Sequence, residues 1–229
     1  MERPAIEITE DGSATLRSPQ CGGVTYHSTR GAVGESRHVF IENGFLQTGC
    51  DSVRILEAGF GTGLNAWLTY LEAARQGRTV EYTAIELYPV PEDVAAELNY
   101  TEDERFAAMH SAVWNDWAPI ADFFRLQKVQ SDLASADFTG VYDLVYFDAF
   151  APADQPELWT EQIFTRIFSV MADAGILVTY SAKGDVKRAL RAAGFTVERL
   201  PGALGKRHML KARKSHELSV ISCGAAAQQ

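Results

Sequence analysis

The feature that most constrains this chain is a strand, a glycine loop and a helix in immediate succession. Residues 53–57, with Val53, Ile55 and Leu56, read as a buried strand. The run Glu57-Ala58-Gly59-Phe60-Gly61-Thr62-Gly63 follows, and residues 64–75 read as a helix ending near Gly77. In open α/β sheets ligands bind beyond the carboxyl ends of the strands, and glycines there let the backbone turn sharply and approach a ligand. The spacing Gly59-x-Gly61-x-Gly63 departs from the GxGxxG pattern of dinucleotide folds, and no lysine follows as a P-loop requires. Glycine-rich turns are common, so the surroundings of the loop must decide its ligand.

The rest of the chain repeats the alternation. Strands are predicted at 80–86, 123–130, 142–148 and 175–180, with helices at 91–98, 102–117, 159–171 and 185–193, the last closed by Gly194. Strands at 195–200 and 208–212, with Pro201-Gly202 between them, form an antiparallel edge hairpin. Before the alternation, residues 6–9 and 14–16 flank Asp11-Gly12 as a β-hairpin, 24–28 is a possible strand, and 35–41 starts a helix or docking segment. The expectation is an α/β, Rossmann-like fold with a mainly parallel sheet, an antiparallel C-terminal edge hairpin and a small N-terminal β-rich accessory segment. Its expected divisions are 1–45, a main domain over 46–214, and a tail over 215–229.

Three acids stand at strand ends. Glu57 precedes the first glycine, where it can meet an amino group. Glu86 ends the next strand, where a carboxylate can accept both hydroxyls of a ribose. Asp132 follows the third, within reach of an adenine amino group. A cationic ligand bearing ribose and adenine fits this set, and S-adenosylmethionine is such a ligand; the fold expected is then that of a class I methyltransferase. Thr62 and Asn65 join Gly59, Gly61 and Gly63 as candidate cofactor contacts. No metal site is expected.

A fourth acid, Asp148, opens the segment Asp148-Ala149-Phe150-Ala151-Pro152 at the end of the fourth strand. In this fold that position faces the methyl group. A lysine-like amine has a reference pKa of about 10.4 and is mostly protonated at neutral pH. Methyl transfer needs its lone pair, so a carboxylate in hydrogen-bond reach can both select the amine and take its proton. Asp148 is the candidate catalytic residue. Pro152 and Pro156 stiffen the wall behind it. Phe150 and Trp159 offer stacking surfaces for a base, Trp159 with the alternative of a buried aromatic opening a helix.

The net charge of −9 argues against a general polyanion binder, but its distribution is uneven. Residues 183–214 hold ten bases, including Lys187, Arg188, Lys206 and Arg207, against Asp185 and Glu198. That segment carries +8 and the remainder −17. Such a segment suits a phosphate backbone, with a solvated basic face as the plain alternative. The polar start Met1-Glu2-Arg3-Pro4 and the lack of a long apolar run point to a cytoplasmic chain without a membrane segment. Cys21, Cys50 and Cys223 fit free thiols.

In combination these motifs resemble the MnmD family and the methyltransferase half of bifunctional MnmC. The matching stretches are Tyr26-His27-Ser28, Glu35-Ser36-Arg37-His38-Val39-Phe40, Gly59 through Asn65, Asp148 through Pro152, Pro156-Glu157-Leu158-Trp159-Thr160, Ala192-Ala193-Gly194-Phe195 and Gly205 through Leu210, in family order. The resemblance implies S-adenosylmethionine as cofactor, tRNA as partner, and methylation of wobble 5-aminomethyluridine to 5-methylaminomethyluridine. It matches Asp148 to the family's active-site aspartate, and Tyr26, Glu35, Phe150, Lys187, Arg188, Lys206 and Arg207 are the candidate substrate contacts. His208 departs from it, standing where the family carries an acid. At 229 residues there is no room for the FAD-dependent oxidase half, so only the methyl transfer is expected, with no stable protein partner implied. The competing readings are a methyltransferase for another amine such as a small polyamine, a non-catalytic RNA-binding protein and, more remotely, a dehydrogenase.

Overall fold

The computed structural model describes residues 3–215; Cys223 and almost all of the 215–229 tail lie outside the described residues. A hairpin of β1 (Ala5–Ile8) and β2 (Ala14–Arg17) opens the chain. Helix α1 (Ala32–Ser36) runs straight into a π-helical turn at Arg37–Glu42. The predicted strand at 24–28 reduces to one bridge, Arg17 to Thr25. The alternation then begins with β3 (Ser52–Ala58), α2 (Leu64–Gln76), β4 (Thr79–Glu86), α3 (Glu92–Ala95) and α4 (Glu104–Ser111). It continues with β5 (Trp117–Ala121), β6 (Phe124–Gln130), β7 (Tyr142–Phe147), α5 (Glu161–Ser169), β8 (Met171–Thr179), α6 (Gly184–Ala192), β9 (Phe195–Pro201) and β10 (His208–Lys214).

The eight-stranded sheet has the order β5-β6-β4-β3-β7-β8-β10-β9. Strands β6, β4, β3, β7 and β8 are parallel, and the C-terminal pair is antiparallel as expected. The antiparallel strand at the other edge, β5, is a correction: the helix expected through residue 117 stops at Ser111. Pro119 lacks an N–H for the ladder and is tolerated at an edge, the register slips between Pro119 and Ala121, and Trp117 stacks under Arg125 at 4.4 Å. Helix α5 is also shorter than predicted, because the Thr160 side chain accepts from Ile163 N–H and fixes the start at Glu161.

Side chains alternate across a strand, and this decides where the acids point. Ile55 on β3, Tyr82 on β4 and Tyr146 on β7 share one core with Trp67 and Tyr70 of α2. Leu56, Ala58, Val145 and Phe147 share the other with Ile163 and Phe164 of α5. By parity Glu57 and Asp148 face the α2 side. Ala14, Leu16, Phe40 and Phe45 pack into that same α2-side core, so the N-terminal segment roofs the face toward which both acids turn. Among the described residues no helix is long and apolar enough to cross a membrane.

Candidate active site

A pocket opens beyond the carboxyl ends of β3, β4, β6 and β7. Its lining includes the glycine loop, Glu86, Asp132, Asp148, Phe150, Tyr26, His27 and Asn65. The glycines have backbones few other residues adopt: φ is +91° at Gly59, +50° at Gly61 and +72° at Gly63. Space is equally short. A Cβ on Gly59 would lie 3.0 Å from the Asp148 carbonyl oxygen, one on Gly61 2.9 Å from the Tyr26 ring, and one on Gly63 2.9 Å from His110 Nε2.

Two histidines hold the loop. His27 Nε2 is 2.7 Å from the Thr62 hydroxyl. His110 Nε2 is 3.1 Å from the Thr62 carbonyl oxygen, which only accepts, so that nitrogen carries the proton. Burial lowers both imidazoles to about 4, and they are neutral at physiological pH. Lys128, buried beneath, donates to the His110 carbonyl and lies 4.6 Å from the Trp114 ring. Neither His110 nor Lys128 was singled out from sequence, and His27 only as part of a motif; their partners are remote in the chain.

Glu86 accepts from Gly61 N–H at 3.0 Å and from Tyr88 N–H at 2.9 Å, one bond to each oxygen. The loop backbone thus fixes this carboxylate at the pocket wall, a placement that suits a vicinal diol. Burial raises its pKa. Asp132 lines the same pocket and caps its own turn, accepting from Ala134 N–H at 2.8 Å. Leu87, Leu133 and Leu158 supply apolar walls nearby.

Glu57 is fully buried and lies behind the lining. Asn65 joins it to Asp148: the one amide nitrogen donates to Glu57 Oε1 at 2.9 Å and to Asp148 Oδ2 at 2.8 Å. Asn65 Oδ1 is left without a partner, while the buried Tyr82 phenol lies against the Glu57 carboxyl. Asn65 Oδ1, an orphaned buried acceptor on a residue of the pocket lining, fits an ammonium donor such as the amino group of a methionine moiety. Desolvation pushes the carboxyls of Glu57 and Asp148 well above their usual range. A carboxyl raised in the folded state stabilises it below the ordinary value of 4.5, and that stability is lost as pH rises. Glu57→Gln should therefore raise the melting temperature of the ligand-free protein at pH 8 and change it little at pH 4. Thermal melting across pH checks this; an equal effect at both pH values would contradict it.

Among the candidate substrate contacts, Tyr26 and Phe150 meet edge to face at 4.9 Å, both in the pocket lining. Glu35 is buried, accepting from Ser28 N–H at 3.0 Å and pairing with Lys206. Trp159 is buried and offers no stacking surface: its indole N–H donates to the Phe150 carbonyl at 2.8 Å, and Phe147 packs against it. The basic segment divides. Strands β8 and β9 run the same way, so residues 180–184 and the 201–207 turn lie at the pocket edge of the sheet. That edge carries Lys183, Lys187, Arg188 and Arg207, with Arg188 paired to Asp185. Lys214 sits at the opposite edge, its ammonium on the carbonyls of Phe168 and Met171. His208 is exposed at the start of β10.

Residues 124–215 match the model of a family described as S-adenosyl-L-methionine-dependent methyltransferase. With the strand order and the glycine loop, this gives the chain a Rossmann-like methyltransferase fold and, over those residues, a resemblance to that family. Within that fold it resembles MnmC. It is 33% identical over 228 residues to the tRNA 5-methylaminomethyl-2-thiouridine biosynthesis bifunctional protein MnmC of Azoarcus sp. (strain BH72), a match covering 91% of this chain and 35% of that protein. The same-named protein of Magnetococcus marinus is 33% identical over 217 residues, covering 86% and 32%. The crystal structure of MnmC2 from Aquifex aeolicus superposes with a TM-score of 0.73 at 26% identity, covering 93% of this chain and 70% of that one. The chain thus spans about a third of the length of these curated relatives.

Proposed function

We propose that the protein N-methylates the aminomethyl group of 5-aminomethyl(-2-thio)uridine at the tRNA wobble position, giving 5-methylaminomethyl(-2-thio)uridine. The observation that carries this reading is the Glu57–Asn65–Asp148 bridge, which ties a buried carboxylate behind the glycine loop to a carboxylate facing the pocket. S-Adenosylmethionine, when bound, supplies an electrophilic methyl group. Glu57 and Asn65 hold its amino group, Glu86 its ribose hydroxyls and Asp132 its adenine amino group, while Gly59, Gly61, Thr62 and Gly63 form the cradle. Asp148 accepts a hydrogen bond from the substrate's aminomethyl nitrogen, orients its lone pair and receives its proton. Raised basicity suits Asp148 to that task, because burial makes its carboxylate a stronger proton acceptor than an exposed one. Tyr26 and Phe150 flank the base, and tRNA as substrate places the reaction in the cytoplasm.

The pocket-edge cations carry the tRNA backbone. Replacing Lys187, Arg188 and Arg207 together with neutral residues should weaken tRNA binding and flatten its salt dependence by a slope of roughly 2–3 for three lost phosphate contacts. Cofactor affinity should be unchanged. Filter binding over a salt series measures this, and a variant with the parent's affinity and slope would reduce these residues to a solvated face. Transfer of labelled methyl groups to undermodified tRNA, with none to polyamines, separates this reading from a small-amine methyltransferase; label in the polyamine alone would overturn it.

A further inference from the structure

The turn between β9 and β10 is strapped to the N-terminal segment beside Asp148. Arg30 Nη1 donates to the Leu204 carbonyl at 3.1 Å, and His38 Nε2 lies 3.0 Å from the Pro201 carbonyl. At the centre of the strap Lys206 pairs with buried Glu35, and its ammonium lies 4.8 Å from the centre of the Tyr180 ring. The Tyr180 hydroxyl donates to the carbonyl of Ala149, the residue after Asp148, at 2.8 Å. Lys206 is thus held on a carboxylate and an aromatic face rather than free for a phosphate.

We propose that the Glu35–Lys206 ion pair, seated on Tyr180 beside the Ala149 carbonyl, tunes the charge of Asp148, Lys206 favouring its ionised form and Glu35 opposing this. Lys206 and Glu35 are then positioning residues acting through Asp148, and the catalytic meaning of that charge rests on the function proposed above. The geometry makes Lys206 the cation of the group. The ionisable side chains facing Asp148 are Glu57 across Asn65, Glu35 from α1, the phenols of Tyr82 on β4 and Tyr180 after β8, and Lys206. Burial dominates the upward push on Asp148; Glu35 adds to it by like charge and Lys206 opposes it. With Glu35, Asp148 and Lys206 all ionised, the three carry one net negative charge, which an incoming alkylammonium balances. Removing Lys206 leaves two neighbouring carboxylates without their counter-ion, while removing the Glu35 charge relieves Asp148.

The two halves of one ion pair should therefore move Asp148 in opposite directions. The test is the titration of Asp148, read in the full-length protein by carbon-13 NMR of labelled aspartate carboxyls and assigned by its loss in Asp148→Asn. Lys206→Met should move the titration up by about one pH unit, a ~tenfold loss of ionised Asp148 below it. Glu35→Gln, whose amide oxygen still accepts from Ser28 N–H, should move it down, and Lys206→Arg should stay with the parent. Single-turnover methylation across pH is the second reading. Opposite NMR shifts support the proposal whatever the rates do; if the rates fail to follow, it is Asp148 as proton acceptor that falls. Shifts of the same sign in both variants point to a structural strap and overturn the proposal. So does an unmoved titration in Lys206→Met with a flatter tRNA salt dependence, which would make Lys206 a phosphate contact.

Discussion

Asp148→Asn is expected to lower single-turnover methylation by roughly 10²–10⁴-fold, the usual range for general acid–base assistance. The substitution keeps the size of the side chain, and the new amide oxygen still accepts from Asn65, which bonds Asp148 at 2.8 Å. Glu57, Glu86 and Asp132 are untouched, so cofactor affinity should stay near that of the parent. What is lost is basicity. Because burial raises the Asp148 carboxyl well above its ordinary value, the parent's rate should fall as pH drops through that raised value. The variant should lack this limb. Rates at saturating tRNA and cofactor, with calorimetry for binding and melting for the fold, distinguish chemistry from structure. A folded, cofactor-binding variant with the parent's rate would remove Asp148 from the mechanism.

Gly61→Val is expected to weaken S-adenosylmethionine binding by at least roughly 10–100-fold. A β-branched residue at positive φ costs about 1–3 kcal/mol, and φ here is +50°. The Cβ also meets the Tyr26 ring at 2.9 Å, so the tyrosine must move away from Phe150 or the loop must move away from Glu86, which accepts from Gly61 N–H. The obstruction is thus the aromatic wall as much as the ligand's own space. Calorimetry with the cofactor reads the effect. Unchanged affinity would mean the loop does not cradle the ligand.

What could be read from the residues was local. The β3–glycine loop–α2 unit was legible because a buried parallel strand is a continuous apolar run and the loop follows within the same dozen residues. Asp148 was legible because it ends such a run. The edge strand β5 was not, since its five residues contain Pro119 and it is held by its ladder with β6 rather than by an apolar run of its own. Partnerships across the chain were also hidden. Lys206 and Glu35 stand 171 residues apart, and a charge count alone groups Lys206 with Lys214, which the antiparallel turn carries to opposite edges of the sheet. The same count could not show that Lys214 caps backbone carbonyls. For Trp159 the sequence left two readings open; the bond from its indole to the Phe150 carbonyl selects the buried one.

The central claim is that this site transfers a methyl group to the aminomethyl nitrogen of a wobble uridine, and nucleoside mass spectrometry tests it most directly. tRNA bearing 5-aminomethyl(-2-thio)uridine is incubated with the protein and S-adenosylmethionine, digested and compared with the same tRNA incubated without cofactor. The expected result is loss of the 5-aminomethyl nucleoside and matching gain of its 5-methylaminomethyl form, absent with Asp148→Asn over the same interval. An unchanged 5-aminomethyl nucleoside in the presence of folded, cofactor-bound protein would contradict the claim.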